Sequence, residues 1–211
     1  VGAPTENSSL VERLPRRRGT AKAPKPAQLM PAVRFKFTTT ADIATPIIEK
    51  LGTAEQKDLF LKPAIRGEKI AALGITEPGC GSDVANIRTT ARKEGKDYVI
   101  DGAKMFCTNG SRGDFITLSV RTDGPGHKGV SLVTFPTDTK GFSVGKKLVK
   151  LGNHCSDTAL LHFEGCRIPQ RYLLGKENEG FRYIMQNFQG ERLVAALMAV
   201  AGSQIALDDA V

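Results

Sequence analysis

Residues 73–83 read Leu73-Gly-Ile-Thr-Glu-Pro-Gly-Cys-Gly-Ser-Asp83. An apolar run stops at Thr76, and the chain enters a loop of glycine, proline and small polar residues. Gly79 and Gly81 carry no Cβ to block a close approach of the backbone. Free N–H groups in such turns make anion-binding nests, suited to a flat or phosphate-bearing ligand. The same residue types also build ordinary surface turns, so the flanking sequence has to decide.

Downstream of Lys69 the apolar period is two. Strand-like runs fall at residues 70–76, 88–93, 97–100, 103–108, 115–121, 130–136, 142–148 and 158–163. Turn pairs separate them: Glu94-Gly95, Asp101-Gly102, Asn109-Gly110, Asp123-Gly124 and Lys140-Gly141. Short strands at this spacing predict an antiparallel barrel or sandwich, closed by Ile168-Pro169. Upstream, residues 41–66 have helical spacing. Pro46 suits a first helical turn, Gly52 ends that helix, and Thr53 with Gln56 makes a capping box for a second, Ala54 to about Arg66. Helical period returns near Gly180, with Phe181, Ile184, Met185 and Phe188 on one stripe. The fold class is therefore α+β, a β-barrel or sandwich flanked by α-helices. The expected organisation is a basic arm over 1–37, a helical segment over 38–68, a β-domain over 69–170 and a helix over 177–211.

Charge is unevenly placed. The net +8 of the 211 residues resides mainly in residues 1–37, where eight Lys/Arg face only Glu6 and Glu12. The remainder holds 22 Lys/Arg against 20 Asp/Glu. The Pro-rich arm reads as disordered, with nucleic-acid binding or targeting as alternatives. Cys80, Cys107, Cys155 and Cys166 form no CxxC pair, and three histidines supply no metal-ligand spacing, so free thiols and no metal are expected. His154-Cys155 invites a nucleophile reading, against which stands that neighbours on a strand face opposite sides. No uninterrupted apolar run reaches the roughly 18 residues of a membrane span.

Five motifs stand in order: Gly74–Asp83; Gly102-Ala-Lys-Met-Phe-Cys-Thr-Asn-Gly110; Gly152-Asn-His-Cys-Ser-Asp-Thr158; Phe163-Glu-Gly-Cys-Arg-Ile-Pro169; and Gly175-Lys-Glu-Asn-Glu-Gly-Phe181. Together they resemble the flavin-dependent acyl-CoA dehydrogenases from about Ala41 to Val211. The resemblance implies a middle β-domain with the end of an N-terminal helical domain and the start of a C-terminal one. It also implies FAD as cofactor and conversion of an acyl-CoA thioester to the trans-2-enoyl-CoA. By position, flavin contacts fall on Leu73, Ile75, Thr76, Gly81 and Ser82, then on Phe106, Cys107 and Thr108. Cys80 departs from the family's usual alanine, Asn86 from a small residue, and Phe106 from the tryptophan of many members.

The resemblance places the catalytic base in the helix after the barrel. The long-chain and isovaleryl branches carry a Glu-Arg-Leu segment there, and this chain has Gln189-Gly-Glu191-Arg192-Leu193. Glu191 is the expected base, with Ser82, His127, Lys128, Arg182, Gln189 and Arg192 toward the substrate. Rival readings of Glu191 are a solvated helix residue, or a base supplied from outside this chain. The family also implies an electron-transfer flavoprotein as acceptor, a dimer or tetramer, and a mitochondrial matrix or bacterial cytoplasmic setting. The functional alternatives are an acyl-CoA oxidase, a truncated non-catalytic product, and a nucleic-acid binder using residues 1–37.

Overall fold

The computed structural model describes residues 43–211. The expectations for residues 1–37, and for 38–42, lie outside the described residues. Helix α1 (Pro46–Leu51) starts on its proline and closes where Gly52 N–H donates to Ile48 O at 2.8 Å. The Thr53/Gln56 capping box opens α2, with Gln56 N–H on Thr53 Oγ1 at 3.2 Å and Thr53 N–H on Gln56 Oε1 at 2.8 Å. Helix α2 is α-helical over Ala54–Gln56, π-helical over Lys57–Leu61 and α-helical again over Lys62–Ile65. The wide turn has a local cause. Pro63 has no N–H to give the Leu59 carbonyl, which instead accepts from Lys69 Nζ at 3.2 Å.

Seven strands follow: β1 (Ala71–Gly74), β2 (Thr90–Glu94), β3 (Asp97–Thr108), β4 (Phe115–Arg121), β5 (Val130–Pro136), β6 (Phe142–Lys147) and β7 (Thr158–Pro169). They form one curled sheet in the order β1-β4-β2-β3-β7-β6, with β5 on the other edge of β4. Most pairs are antiparallel, as expected, but β1 runs parallel to β4, and β2 meets β4 in parallel at Thr90 and Arg121. Strands β1 and β2 are shorter or shifted against the expected runs 70–76 and 88–93, and two further differences are larger. Residues 97–108 are one strand, because Asp101-Gly102 makes a bulge and not a turn. Gly102 sits at φ +147, and a Cβ there would lie 2.7 Å from Thr89 Cα. Strand β7 runs past Phe163 to Pro169 because β3 offers it a partner over that whole length.

The two faces of the sheet bury different cores. One holds Phe135, Phe142 and Phe163 as a ring cluster with centroids 5.0–5.5 Å apart, beside Ile100, Leu118 and Leu161. The other packs Ile48, Phe60, Phe115, Leu132 and Ile184 between sheet and helices. The last helix, α3 (Gly180–Ala210), enters this second core through Tyr183 and Ile184. Gly180 is required by that approach: a Cβ would lie 2.6 Å from the Ser131 carbonyl carbon of β5. From Arg192 onward every residue of α3 is exposed. Although no unbroken apolar run predicted it, α3 is long and apolar enough to cross a membrane by length and composition, with mean hydropathy 1.4 over an 18-residue window. Exposed Leu193, Leu197, Met198 and Ile205 alternate there with small residues, a composition equally suited to packing on other helices.

The bulge supplies a stability test. Gly95 also has a positive φ, +64, but open space around it, so Gly95→Ala should cost about 1 kcal/mol from the left-handed backbone alone. Gly102→Ala adds a backbone collision and should cost about 3 kcal/mol or more. Urea midpoints at unchanged slope measure both.

Candidate active site

The site begins as an interruption in the sheet. Along one edge of β4, β1 is paired as far as Leu118, and β2 takes over only at Arg121 through Thr90. Residues 75–89 leave the sheet between these points. Lys104, on the neighbouring β3, fills the gap from within. It is fully buried, and its Nζ donates to Ile75 O at 3.1 Å, Glu77 Oε1 at 2.8 Å and Ser119 Oγ at 2.9 Å. Glu77 also accepts from the backbone N–H of Arg88 at 2.6 Å and of Thr89 at 3.0 Å. Both ends of the loop are thus tied to one carboxylate. Burial alone would raise the Glu77 carboxyl, but Lys104 and the N–H donors outweigh it and hold it below the usual carboxylate range. Burial pushes the Lys104 ammonium down, against the pull of Glu77.

Above this buried pair the loop presents its polar edge. Glu77 and Cys80 exchange backbone bonds around the Pro78-Gly79 turn, at 2.9 and 3.1 Å. Gly81 and Ser82 are exposed, and their N–H groups have no acceptor among the described residues. Met105 N–H donates to Thr76 O at 2.7 Å, placing the next residue, Phe106, beside Thr76. Phe106 has φ +58 and is 59% exposed. An aromatic residue in the left-handed region, with its ring in solvent, is a strained arrangement of the kind found at functional sites. The register of β3 shifts between Lys104 and Cys107. This bulge turns the Lys104 side chain inward and the Phe106 ring outward.

The helix contributes the other group of side chains. Phe181, Met185 and Phe188 pack on the same core cluster as Leu73, Cys80, Val84 and Ile87 from the loop side. The His127 ring lies 5.8 Å from that of Phe181. Glu191 is half-buried one turn further on, and Asn187 Nδ2 donates to its Oε1 at 2.9 Å and to Ile43 O at 3.2 Å. Burial raises the Glu191 carboxyl above its ordinary value, while Asn187 and Arg192 pull it partway back. Burial of this kind makes a carboxylate a stronger base than a solvated one.

Not every expected residue fits a direct contact. The Cys107 thiol is buried in the sheet's inner core, which pushes it up to about 12, so only its backbone is open to a ligand. Ile75 is likewise buried, with its carbonyl on Lys104. Thr108 is half-buried at the end of β3, paired with Thr158. Arg182 is bonded to Glu179 at 2.7 Å and lies over the Tyr183 ring. Lys128 and Gln189 are exposed, and Arg192 lies 5.9 Å from the centre of the Phe188 ring. The sequence reading did not single out Lys104, Glu77, Arg88 or Asn187. Lys104 carried no clear sequence signal, because the reading split its strand at Asp101-Gly102 and the in-phase residues Gly102 and Phe106 are exposed. The third motif proves to be a brace: Asp157 accepts from Ser111 N–H and Oγ–H at 3.0 and 2.6 Å and from Arg112 Nε at 3.0 Å. It pins the turn that follows β3. Beside the loop lies an open cleft of about 600 Å³, lined by Asp83, Asn86, Arg88, Arg121 and Asp123. Arg121 is committed to the carbonyls of Ala85, Ile87, Gly124 and Gly126, which leaves Arg88 as the exposed cation on that wall.

This architecture matches known proteins. Residues 72–166 match the family model described as acyl-CoA dehydrogenase, middle domain. The chain is 40% identical over 177 residues to the long-chain specific acyl-CoA dehydrogenase, mitochondrial, of Rattus norvegicus, covering 82% of this chain and 41% of that protein. It is 39% identical over 169 residues to the short-chain specific acyl-CoA dehydrogenase of Clostridium acetobutylicum, covering 80% and 45%. A crystal structure of a probable acyl-CoA dehydrogenase from Mycobacterium abscessus superposes with a TM-score of 0.78 at 49% identity, over 80% of this chain and 45% of that one. The chain belongs to the acyl-CoA dehydrogenase family, and it spans less than half the length of these relatives.

The strain at Phe106 is measurable. Phe106→Gly removes a left-handed penalty of about 1–2 kcal/mol and adds a glycine entropy cost of about 0.5–1 kcal/mol. The variant should be as stable as the parent, or more stable by up to about 1.5 kcal/mol, by chemical denaturation. A clear loss of stability would mean that the exposed ring supports the fold.

Proposed function

We propose that the protein carrying this chain dehydrogenates acyl-CoA thioesters to trans-2-enoyl-CoA with FAD as cofactor, and that Glu191 is the base. The observation that carries this reading is the pairing of Thr76 with the strained, exposed ring of Phe106. A flat apolar wall lies beside a hydroxyl and N–H groups that no described residue accepts. Such a surface fits one face and one edge of a flavin, and Gly81 and Ser82 extend the line of donors. FAD, when bound, supplies the acceptor for the hydride lost from the β-carbon.

The chain's own residues supply the rest. The loop 76–82 and Phe106 orient the cofactor. The Glu191 carboxylate takes the α-proton. The stripe Phe181, Met185 and Phe188 excludes water from that carboxylate and offers an apolar wall to the acyl chain. The exposed Arg88, Lys128 and Arg192 provide positive charge for the phosphates of CoA, with the His127 ring beside Phe181. One relative is named for long-chain substrates and another for short-chain ones, so the acyl length is set by details within this shared frame. The exposed half of α3 fits a place in a C-terminal helical bundle, through which the family's dimers and tetramers form. An electron-transfer flavoprotein is the acceptor this reading expects.

Two experiments test the reading. In the full-length enzyme, Glu191→Gln should keep FAD, seen by its visible absorbance, and lose acyl-CoA-dependent bleaching by at least about a hundredfold. Near-parental bleaching in that variant would remove Glu191 as the base. The pH profile adds a sign. The base works ionised, so kcat/KM rises with pH through its pKa. Asn187 favours the ionised form, so Asn187→Leu should move the rising limb to higher pH; a move to lower pH would contradict the assignment.

A further inference from the structure

Lys104 has no place among the groups proposed to touch substrate or cofactor, yet its burial is complete and its hydrogen bonding is full. Ser119 Oγ–H donates to Gly74 O at 3.3 Å, so it accepts from Lys104 Nζ and does not donate to it. Three acceptors around Nζ call for three protons, and the side chain is an ammonium. An ion pair of this kind is an expensive way to fill space, because apolar residues of the same volume are often as stable. What the pair does that an apolar plug could not is act on the backbone of the loop.

The peptide between Ile75 and Thr76 is trans, as are all others among the described residues. In a trans peptide the N–H points opposite to the carbonyl. The Ile75 carbonyl is drawn inward onto Lys104 Nζ. The Thr76 N–H is therefore turned outward, and no described residue accepts it. The Thr76 carbonyl is held separately by Met105 N–H, one residue before the exposed Phe106 ring. Glu77, the next residue, is clamped by Lys104 and by the Arg88 and Thr89 N–H groups. Every neighbour of this one N–H is fixed, and the N–H itself is left open.

We propose that Lys104, balanced by Glu77, is a positioning residue that orients and polarises the Ile75–Thr76 peptide, making Thr76 N–H a strengthened donor to an electron-rich ring atom of a flat heteroaromatic ligand stacked near Phe106. A cation on the carbonyl end of a peptide increases the positive charge at its N–H, as in any hydrogen-bonded chain. A donor aimed in advance at such an atom costs no reorganisation on binding. The identity of the ligand as a flavin rests on the function proposed above; the orientation of the peptide does not.

The test uses the ¹⁵N-labelled 211-residue chain, titrated with FAD. Wild type is compared with the double variant Lys104→Met, Glu77→Gln, which leaves no unpaired buried charge. In wild type the free Thr76 amide should exchange rapidly with solvent while Met105 is protected, and FAD should shift the Thr76 resonance. The double variant should keep the protection of Leu118 and Leu132 but lose the Thr76 shift. It should bind FAD roughly tenfold more weakly, the loss expected for one charge-assisted donor, with a displaced visible band. A double variant with unchanged affinity, band position and Thr76 shift would overturn the proposal. So would a protected Thr76 amide in free wild type, a readout that stands even if the variant does not fold. No FAD binding by wild type would count against the flavin reading for this chain, and Thr76 and Met105 exchange would still decide the role of Lys104.

Discussion

The structure turns on a lysine buried where the sheet is interrupted. Strands β1 and β2 share an edge of β4 but do not meet on it, and the fifteen residues between them, 75–89, must leave and return. A break of this kind exposes backbone groups that need partners. Lys104 supplies donors to the outgoing arm at Ile75, and Glu77 supplies acceptors to the returning arm at Arg88 and Thr89. The charges that close the gap on the inside set the direction of the peptide that forms the rim on the outside. Closure of the loop and the ligand presentation proposed for it thus follow from one contact. Removing either partner alone would leave a buried charge without its counterion, which is more damaging than never having had the pair.

The rim itself shows how the fold tolerates local cost. Phe106 occupies a backbone region that suits glycine, and its ring gains little from burial. The bulge that produces this conformation also directs Lys104 into the protein, since the two side chains lie two residues apart across the register shift. The strain is carried by β3, which is paired with β7 along most of its length. Helix α3 faces the same region from the other side through Phe181, Met185 and Phe188. The proposed base is thereby attached to the core that supports the proposed cofactor wall. The acyl-CoA dehydrogenase chemistry proposed for the protein needs these two groups of residues at a fixed separation. A shared core provides that without a flexible connection.

Much of this was legible in the chain. Period-two runs separated by glycine turns identified β2, β4, β5 and β6 closely, and the Thr53/Gln56 box located α2. The order of five motifs carried the family. Asp101-Gly102 misled because Asp-Gly serves a hairpin turn and a bulge equally well. Which one forms depends on whether β7 is present to pair both sides. The exposed half of α3 was not visible as an apolar run because small and polar residues interrupt it, whereas hydropathy averaged over a helix is insensitive to such breaks.

Local physics acts over a few residues, and those features were readable in order along the chain: helix caps, strand periodicity, the glycine-rich loop and the glutamate next to arginine in α3. The sequence by itself determined the elements, the α+β class and the residue types available for chemistry. Only the tertiary structure decided that Lys104 points inward to Glu77, 27 positions earlier in the chain, that Cys107 turns away from the rim, and that Asn187 reaches both Glu191 and Ile43. Each outcome depends on which groups are desolvated together. Desolvation is a property of the packed molecule, because it is set by neighbours brought from distant parts of the chain.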